Sequence, residues 1–491
     1  MVKNYRDVLC LFGAFDFFNR LILILKFISM LYSTKKIAIT GTAQSGKTTF
    51  LVSLLNHLRV HDPYLFRMAR DKDDPKKIEK RRFIKFRELP NKRFTGWDTF
   101  LYEVYRDNLS SGRWPKKTVA HALFTAQVTM PCWYGSANLY LFDVPGERFV
   151  DAKLVTSEYD TWSDMLAAKI CGGDFQAKIN ADPPFIRNYA SLLDRLSNEV
   201  ASYEEIILAY KYALGEMTAR FYRNIMPSIF LLDEKGKSFD TELAGLVTSD
   251  VSVDDAIYKL SPIRLAGLPG KEFAPLPRAV REQHPMLAKQ MAENYKAYAD
   301  KQRALFDTLK HCDSLIVLVD YASLLREGAD RLKAVYSFVE DLLNAVDPKM
   351  TTFKEVLRSM GMFRALSKIA VVASQIDRFH KEDEDIVKNL VSLLLKKPLA
   401  EIDRITSESF VCSAARVTQV VARDDKKLRL IPSGEEVPVP RLPEAWRDCM
   451  KHPEEWNMVK FPQGFPPIPK LPTNLPDHTG MDEIFRFVTG W

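Results

Sequence analysis

The chain has 491 residues, 46% of them hydrophobic and 27% charged, with a formal net charge of +7. That balance excludes a disordered or fibrous chain, supplies about two to three globular domains, and permits contact with anionic surfaces without arguing for one. Six scattered cysteines without C-x-x-C spacing point to free thiols in a reducing compartment, and eight histidines show no metal-ligand spacing, so neither a disulfide scaffold nor a zinc site is expected.

Residues 1–33 form an apolar extension. Val8 to Tyr32 is rich in Leu, Phe and Ile but is interrupted by Asp16, Asn19, Arg20 and Lys26, which leaves no run of about 18 uncharged apolar residues. No small-residue cleavage site follows it, which argues against a secretory signal. Three readings stand: a helix packed on the body of the protein, an amphipathic helix on a membrane surface, and a membrane span.

Lys36-Ile37-Ala38-Ile39-Thr40 predicts a strand and Thr49–Leu55 a helix. Between them, Gly41-Thr42-Ala43-Gln44-Ser45-Gly46-Lys47-Thr48 fits G-x-x-x-x-G-K-S/T, the phosphate-binding P-loop. The glycines let backbone N–H groups turn inward on phosphate oxygens, and the helix N-terminus adds partial positive charge. Gly41, Gln44, Ser45, Gly46, Lys47, Thr48 and Thr49 are the candidate nucleotide ligands. Lys47 is expected at the β- and γ-phosphates and the Thr48 hydroxyl on Mg²⁺. The basic stretch Asp71 to Arg93 follows, readable as a solvated surface or as a phosphate or membrane patch.

Thr125–Met130 and Ala137–Asp143 predict a β-hairpin turning at Tyr134-Gly135-Ser136. The second strand ends in Asp143-Val144-Pro145-Gly146, which matches D-x-x-G. An aspartate there can hold Mg²⁺ through water, and the Gly146 N–H can report a γ-phosphate. Glu147 to Cys312 shows helical periodicities, such as Tyr189 to Tyr222, and a Pro-rich segment at Ser261–Pro285, so a mostly helical insertion is expected over 151–310.

Apolar runs then return at Ser314–Asp320, Lys368–Ser374 and Ser409–Ser413, separated by helical segments at Ala329–Val346 and Asp385–Lys396. Alternation of strands and helices argues for a parallel sheet. Ser374-Gln375-Ile376-Asp377 stands where a GTPase carries N/T-K-x-D. An aspartate at that position can accept from guanine N1–H and the 2-amino group, a donor pair that adenine lacks. Ser374 and Gln375 depart from the pattern, the latter replacing a lysine whose stem lies over the base, and a plain capping role for Asp377 is the alternative. Asn91-Lys92 lacks the aspartate at the required spacing. Cys412-Ser413-Ala414-Ala415 resembles the short loop that completes a guanine pocket with backbone N–H groups. The tail, Leu428 to Pro476, is proline-rich and is expected to wrap the surface before a last helix at Asp482–Val488.

Together these motifs resemble the YcjX-like family of bacterial P-loop proteins. The residues that carry the resemblance are Gly41–Thr48, Arg113-Trp114-Pro115 upstream of Thr118, Asp143–Glu147, and Asp377 with Ser413-Ala414, in a chain that fits from about residue 34 onward. The resemblance implies a stress-associated protein linked with the phage-shock response and encoded beside a membrane-protein partner.

The fold expected is α/β: a P-loop NTPase with a Ras-like mixed sheet flanked by helices, in two parts (34–150 and 311–420), with a mostly helical insertion domain (151–310) and a Pro-rich C-terminal segment (421–491). The expected activity is Mg²⁺-dependent GTP binding and hydrolysis to GDP as a conformational switch. Lys47 neutralises phosphate charge, Thr48 and Asp143 support Mg²⁺, and Thr118 is the candidate switch threonine, or else an ordinary loop residue. Glu147 follows Gly146 where Ras-like enzymes orient the attacking water, although repulsion from phosphate leaves a structural role equally open. Arg113 and Arg148 are candidate arginine fingers or exposed salt-bridge partners. Two rivals remain: an ATPase or kinase-like enzyme with its Walker-B carboxylate at Asp320, and a non-hydrolysing nucleotide-gated scaffold at a membrane. A protein partner and a cytoplasmic location, with peripheral contact at the inner membrane as an option, are expected; sequence-specific nucleic-acid binding is not.

Overall fold

The computed structural model describes residues 32–42, 45–68, 74–83, 85–90, 97–111, 113, 121–130, 136–146, 151–173, 183–196, 198–220, 251–264, 270–322, 324, 335, 339–340, 342–343, 345–346, 365–400, 405–421, 424–430, 434–439, 442 and 477–491. Strand β1 (Tyr32–Gly41) leads into helix α1 (Lys47–Arg59). A short helix α2 (Pro75–Lys80), strands β2 (Lys85–Glu88) and β3 (Asp98–Thr99), and helix α3 (Tyr102–Ser110) precede β4 (Ala122–Thr129) and β5 (Ser136–Asp143). Helices α4 (Ala152–Thr156), α5 (Tyr159–Cys171), α6 (Pro184–Arg195), α7 (Tyr203–Arg220), α8 (Val253–Arg264), α9 (Arg278–Gln283) and α10 (Pro285–Lys310) come next. The chain then forms β6 (Ser314–Asp320), β7 (Lys368–Ser374), helix α11 (Glu384–Ala400), β8 (Thr406–Cys412), β9 (Thr418–Val421), β10 (Asp424–Leu430), β11 (Glu436–Pro438) and helix α12 (Met481–Thr489).

The main sheet runs β2-β4-β5-β1-β6-β7-β8, with β3 beside β4. β1 lies parallel between β5 and β6, β7 and β8 continue the parallel run, and β4 is antiparallel to β5. This is the mixed α/β sheet that the hairpin and the apolar runs predict. The parallel strands bury both faces, as crossover helices require. Period-two alternation sorts their side chains. Ala38, Leu315, Val317, Ile369 and Val371 face one core with the end of α10 and with α11. Ile37, Ile39, Ile316, Leu318 and Val372 face the other, with α1 and α12. Helix α1 is enclosed on most sides: Phe50, Leu51, Val52, Leu54, Leu55, His57 and Leu58 are all buried.

The inserted helices have their own core, around Trp162, Tyr189, Tyr210, Phe273 and Tyr295. Helix α10 belongs to both regions. Met291, Tyr295 and Tyr298 pack among the inserted helices, whereas Leu305, Phe306 and Leu309, further along, pack against the sheet.

Several elements differ from expectation. The helical stretch read over Tyr189–Tyr222 is two helices, α6 and α7. Residues 261–264, read with the Pro-rich segment, finish α8. Strand β8 starts at Thr406, three residues before the apolar pattern, because its exposed first half pairs with β7 through backbone alone. The start of the tail carries a small antiparallel sheet, β11-β10-β9. Most of the stretch Ala329–Val346 and residues 443–476 lie outside the described residues, as do residues 1–31 of the apolar extension. Among the described residues no helix is long and apolar enough to cross a membrane.

Candidate functional site

The C-terminal ends of β1, β5, β6 and β7 meet at one edge of the sheet, and the loops that leave them form the site. Gly46 caps α1 in the left-handed region (φ 76°), where a side chain would be strained, and it has no side chain to accept the helix's first amides. Inside the turn, the Ser45 N–H donates to Thr42 O at 3.1 Å and the Thr42 N–H to Leu318 O at 2.9 Å. The Asp320 N–H reaches Thr42 Oγ1 at 3.3 Å. The glycine-rich loop is thus laced to β6, a contact that no local pattern announces.

Lys47 Nζ donates to Asp143 Oδ1. The two side chains are 10% and 1% exposed, so the pair is shielded from solvent. Asp143 Oδ2 and Ser45 Oγ are buried without a hydrogen-bond partner among the described residues. Beyond Asp143, the Val144 N–H continues the ladder to Ile39 O at 3.0 Å. Gly146 then lies flat on the glycine-rich loop: a Cβ on Gly146 would stand 1.8 Å from Gly41 O. Only glycine permits that approach. D-x-x-G and the glycine-rich loop, about a hundred residues apart in sequence, are in backbone contact.

On the other flank, Ser374 Oγ donates to Val319 O at 3.2 Å. Gln375 follows in the left-handed region at φ 57°, its Nε2 3.9 Å from where a Cβ of Gly46 would be. Arg378 donates to Gln375 Oε1 at 3.3 Å and pairs with Asp320 Oδ1 at 3.5 Å. Asp377 Oδ2 accepts the Val417 N–H at 2.9 Å, which is the capping bond offered as the alternative for this residue. Burial pushes its carboxyl above the usual carboxylate range, and the Val417 N–H and Ser413 oppose the shift. Ser413 is bridged to Thr479 by paired backbone bonds. Ser53, on α1, holds Ala414 O at 2.5 Å. The N–H groups of Ala414 and Ala415 have no acceptor among the described residues.

Of the residues singled out in sequence, Gly41, Ser45, Gly46, Lys47, Thr48, Thr49, Asp143, Gly146, Asp377, Ser413 and Ala414 therefore lie at the C-terminal ends of the sheet's strands, in the loops that leave them or in the first turn of α1. Arg113 stands exposed beyond α3, its N–H on Asn108 O, without a hydrogen bond or ion pair to these loops among the described residues. Gln44, Thr118, Glu147 and Arg148 lie outside the described residues. Sequence reasoning missed Arg378 and the part Asp320 plays beside it. The only signal was a charged residue following Asp377, too ordinary to single out.

Fold and site define a class: an α/β protein whose mixed sheet presents a glycine-rich loop, and a lysine–aspartate pair behind it, at the C-terminal edge of its central strands. The chain belongs to the YcjX-like family, DUF463, whose profile matches residues 35–240 and 259–490. No curated protein matches it.

Proposed function

We propose that the protein is a P-loop GTPase: it binds GTP with Mg²⁺ and hydrolyses it, using the nucleotide as a conformational switch. The observation that carries this reading is Lys47 on Asp143, which joins the two nucleotide motifs at one buried point. The Gly41–Gly146 contact supports it, because a γ-phosphate held in the first loop would lie beside the Gly146 N–H. The residues also fit Mg²⁺. Asp143 Oδ2 is a buried oxygen without a donor among the described residues, and Thr48 stands beside Lys47 in the first turn of α1. Bound there, the ion would neutralise phosphate charge. Lys47 and the first amides of α1 would hold the phosphates, Asp377 would accept from the guanine edge, and the Ala414 and Ala415 N–H groups would be its donors. The pairing of Asp320 with Arg378 argues against a Walker-B role for Asp320 and hence for Asp143. Orientation of the attacking water stays with Glu147 as a proposal, as do the membrane-protein partner and the bacterial stress or envelope role.

Titration of the whole chain with Mg²⁺ plus GTP or ATP tests the reading. Tighter binding of GTP is expected, together with hydrolysis that Lys47→Ala abolishes. Tighter binding of ATP would contradict it.

A further inference from the structure

Gln375 is the one non-glycine residue with positive φ among the described residues. Glutamine has no special tolerance for that conformation, unlike Asn or Asp, so surrounding structure must impose it. Its side chain is also held. Arg378 donates to Gln375 Oε1 and is itself held by Asp320 across 3.5 Å, the side chains being 10% and 2% exposed. Asp320 is tied to the glycine-rich loop by its own N–H on Thr42 Oγ1. The chain of contacts thus runs from that loop through the end of β6 to the turn after β7. Because Arg378 holds the amide oxygen, the other end of the amide, Nε2, faces Gly46.

We propose that Gln375 is a nucleobase-contacting specificity residue and that Arg378, clamped by Asp320, is its positioning residue. The proposal rests on the guanine-nucleotide reading above. The lysine expected at position 375 covers the base with a long stem and brings a charge. Glutamine reaches one atom less far, ends in a planar amide and is neutral. Its planar amide can lie over a purine face, provided that its rotation is fixed, and Arg378 fixes it.

The test compares two probes on the whole chain with Mg²⁺: GTP, and inorganic tripolyphosphate, which has no base. Arg378→Ala removes the counter-ion of a buried carboxylate and can disturb folding. Gln375→Gly avoids this, because glycine adopts the left-handed conformation freely, and Asp320→Asn/Arg378→Ala avoids the unpaired carboxylate. Each variant is expected to bind GTP about tenfold more weakly, the scale of one lost polar contact, and tripolyphosphate as tightly as the wild type. Gln375→Lys in the Asp320→Asn/Arg378→Ala background is expected to restore GTP binding. Wild-type affinity for GTP in both Gln375→Gly and the double variant would overturn the proposal. So would equal weakening of both probes, which would place the effect on the phosphate loop. If the wild type binds GTP no tighter than tripolyphosphate, the guanine reading itself fails, and this inference with it.

Discussion

A carboxylate buried at the end of a strand needs a counter-charge, and Asp143 finds it in Lys47. The pair explains how one lysine serves two states. Without nucleotide it neutralises Asp143; with nucleotide, on the reading proposed, it turns to phosphate. Removing it leaves Asp143, 1% exposed, without its cation. Lys47→Ala is therefore expected to lower stability by about 3 kcal/mol, measured by urea unfolding without nucleotide. An unchanged midpoint would show that the pair does not hold the folded protein. At this scale the sequence identified Lys47, Asp143 and Asp377 by motif. It could not identify their bonds: the Val417 N–H on Asp377 joins residues forty positions apart, and no local spacing encodes such a contact.

The stretch after α1 folds back onto it through histidine. The Phe83 N–H donates to His61 Nδ1 at 3.0 Å, so Nε2 carries the proton that meets Phe66 O at 2.9 Å. Phe66 stacks on His57 of α1, which meets His478 edge to face. Burial lowers the His61 pKa from 6.5 to about 4, and burial also lowers that of His478. The unfolded chain takes up the His61 proton as pH falls through 6.5, whereas the folded chain resists until about 4. Stability is thus lost as pH falls across that window, by about 3 kcal/mol for His61 alone. Urea midpoints at pH 7 and pH 4.5 check this, with His61→Gln flattening the slope; equal wild-type midpoints would contradict it. Elements with strong periodicity, such as β1, α1, β5, β6 and β7, were legible in the sequence. Strands β2 and β3 were not, since they are short, largely exposed and at the sheet margin, where no alternation records burial. The part played by α12 was also hidden. Its Met481, Ile484, Phe485 and Val488 close the face behind α1, a pairing of segments far apart in sequence.

The inserted helices are fastened to the sheet beside the D-x-x-G loop. Asp151, fully buried, accepts the Tyr298 hydroxyl of α10. Tyr295, one turn earlier, reaches Leu154 O and Ser157 O at 3.2 and 2.9 Å. The lower end of α10 meanwhile packs on the sheet. Tyr298→Phe is expected to cost about 1–2 kcal/mol and to raise amide exchange in α4 while the sheet stays protected; unchanged exchange in α4 would show that the tether does not hold this segment. The central claim, that this edge of the sheet reads guanine, is tested most directly by Asp377→Asn. Asparagine keeps an oxygen for the Val417 N–H, so the turn is preserved, but it replaces the acceptor that would face guanine, on the reading proposed, with a donor. Titration with GTP and with xanthosine triphosphate, whose 2-oxo group matches the amide, is expected to show GTP binding weakened and xanthosine triphosphate binding improved. No change in either affinity would remove Asp377 from the site and contradict the account.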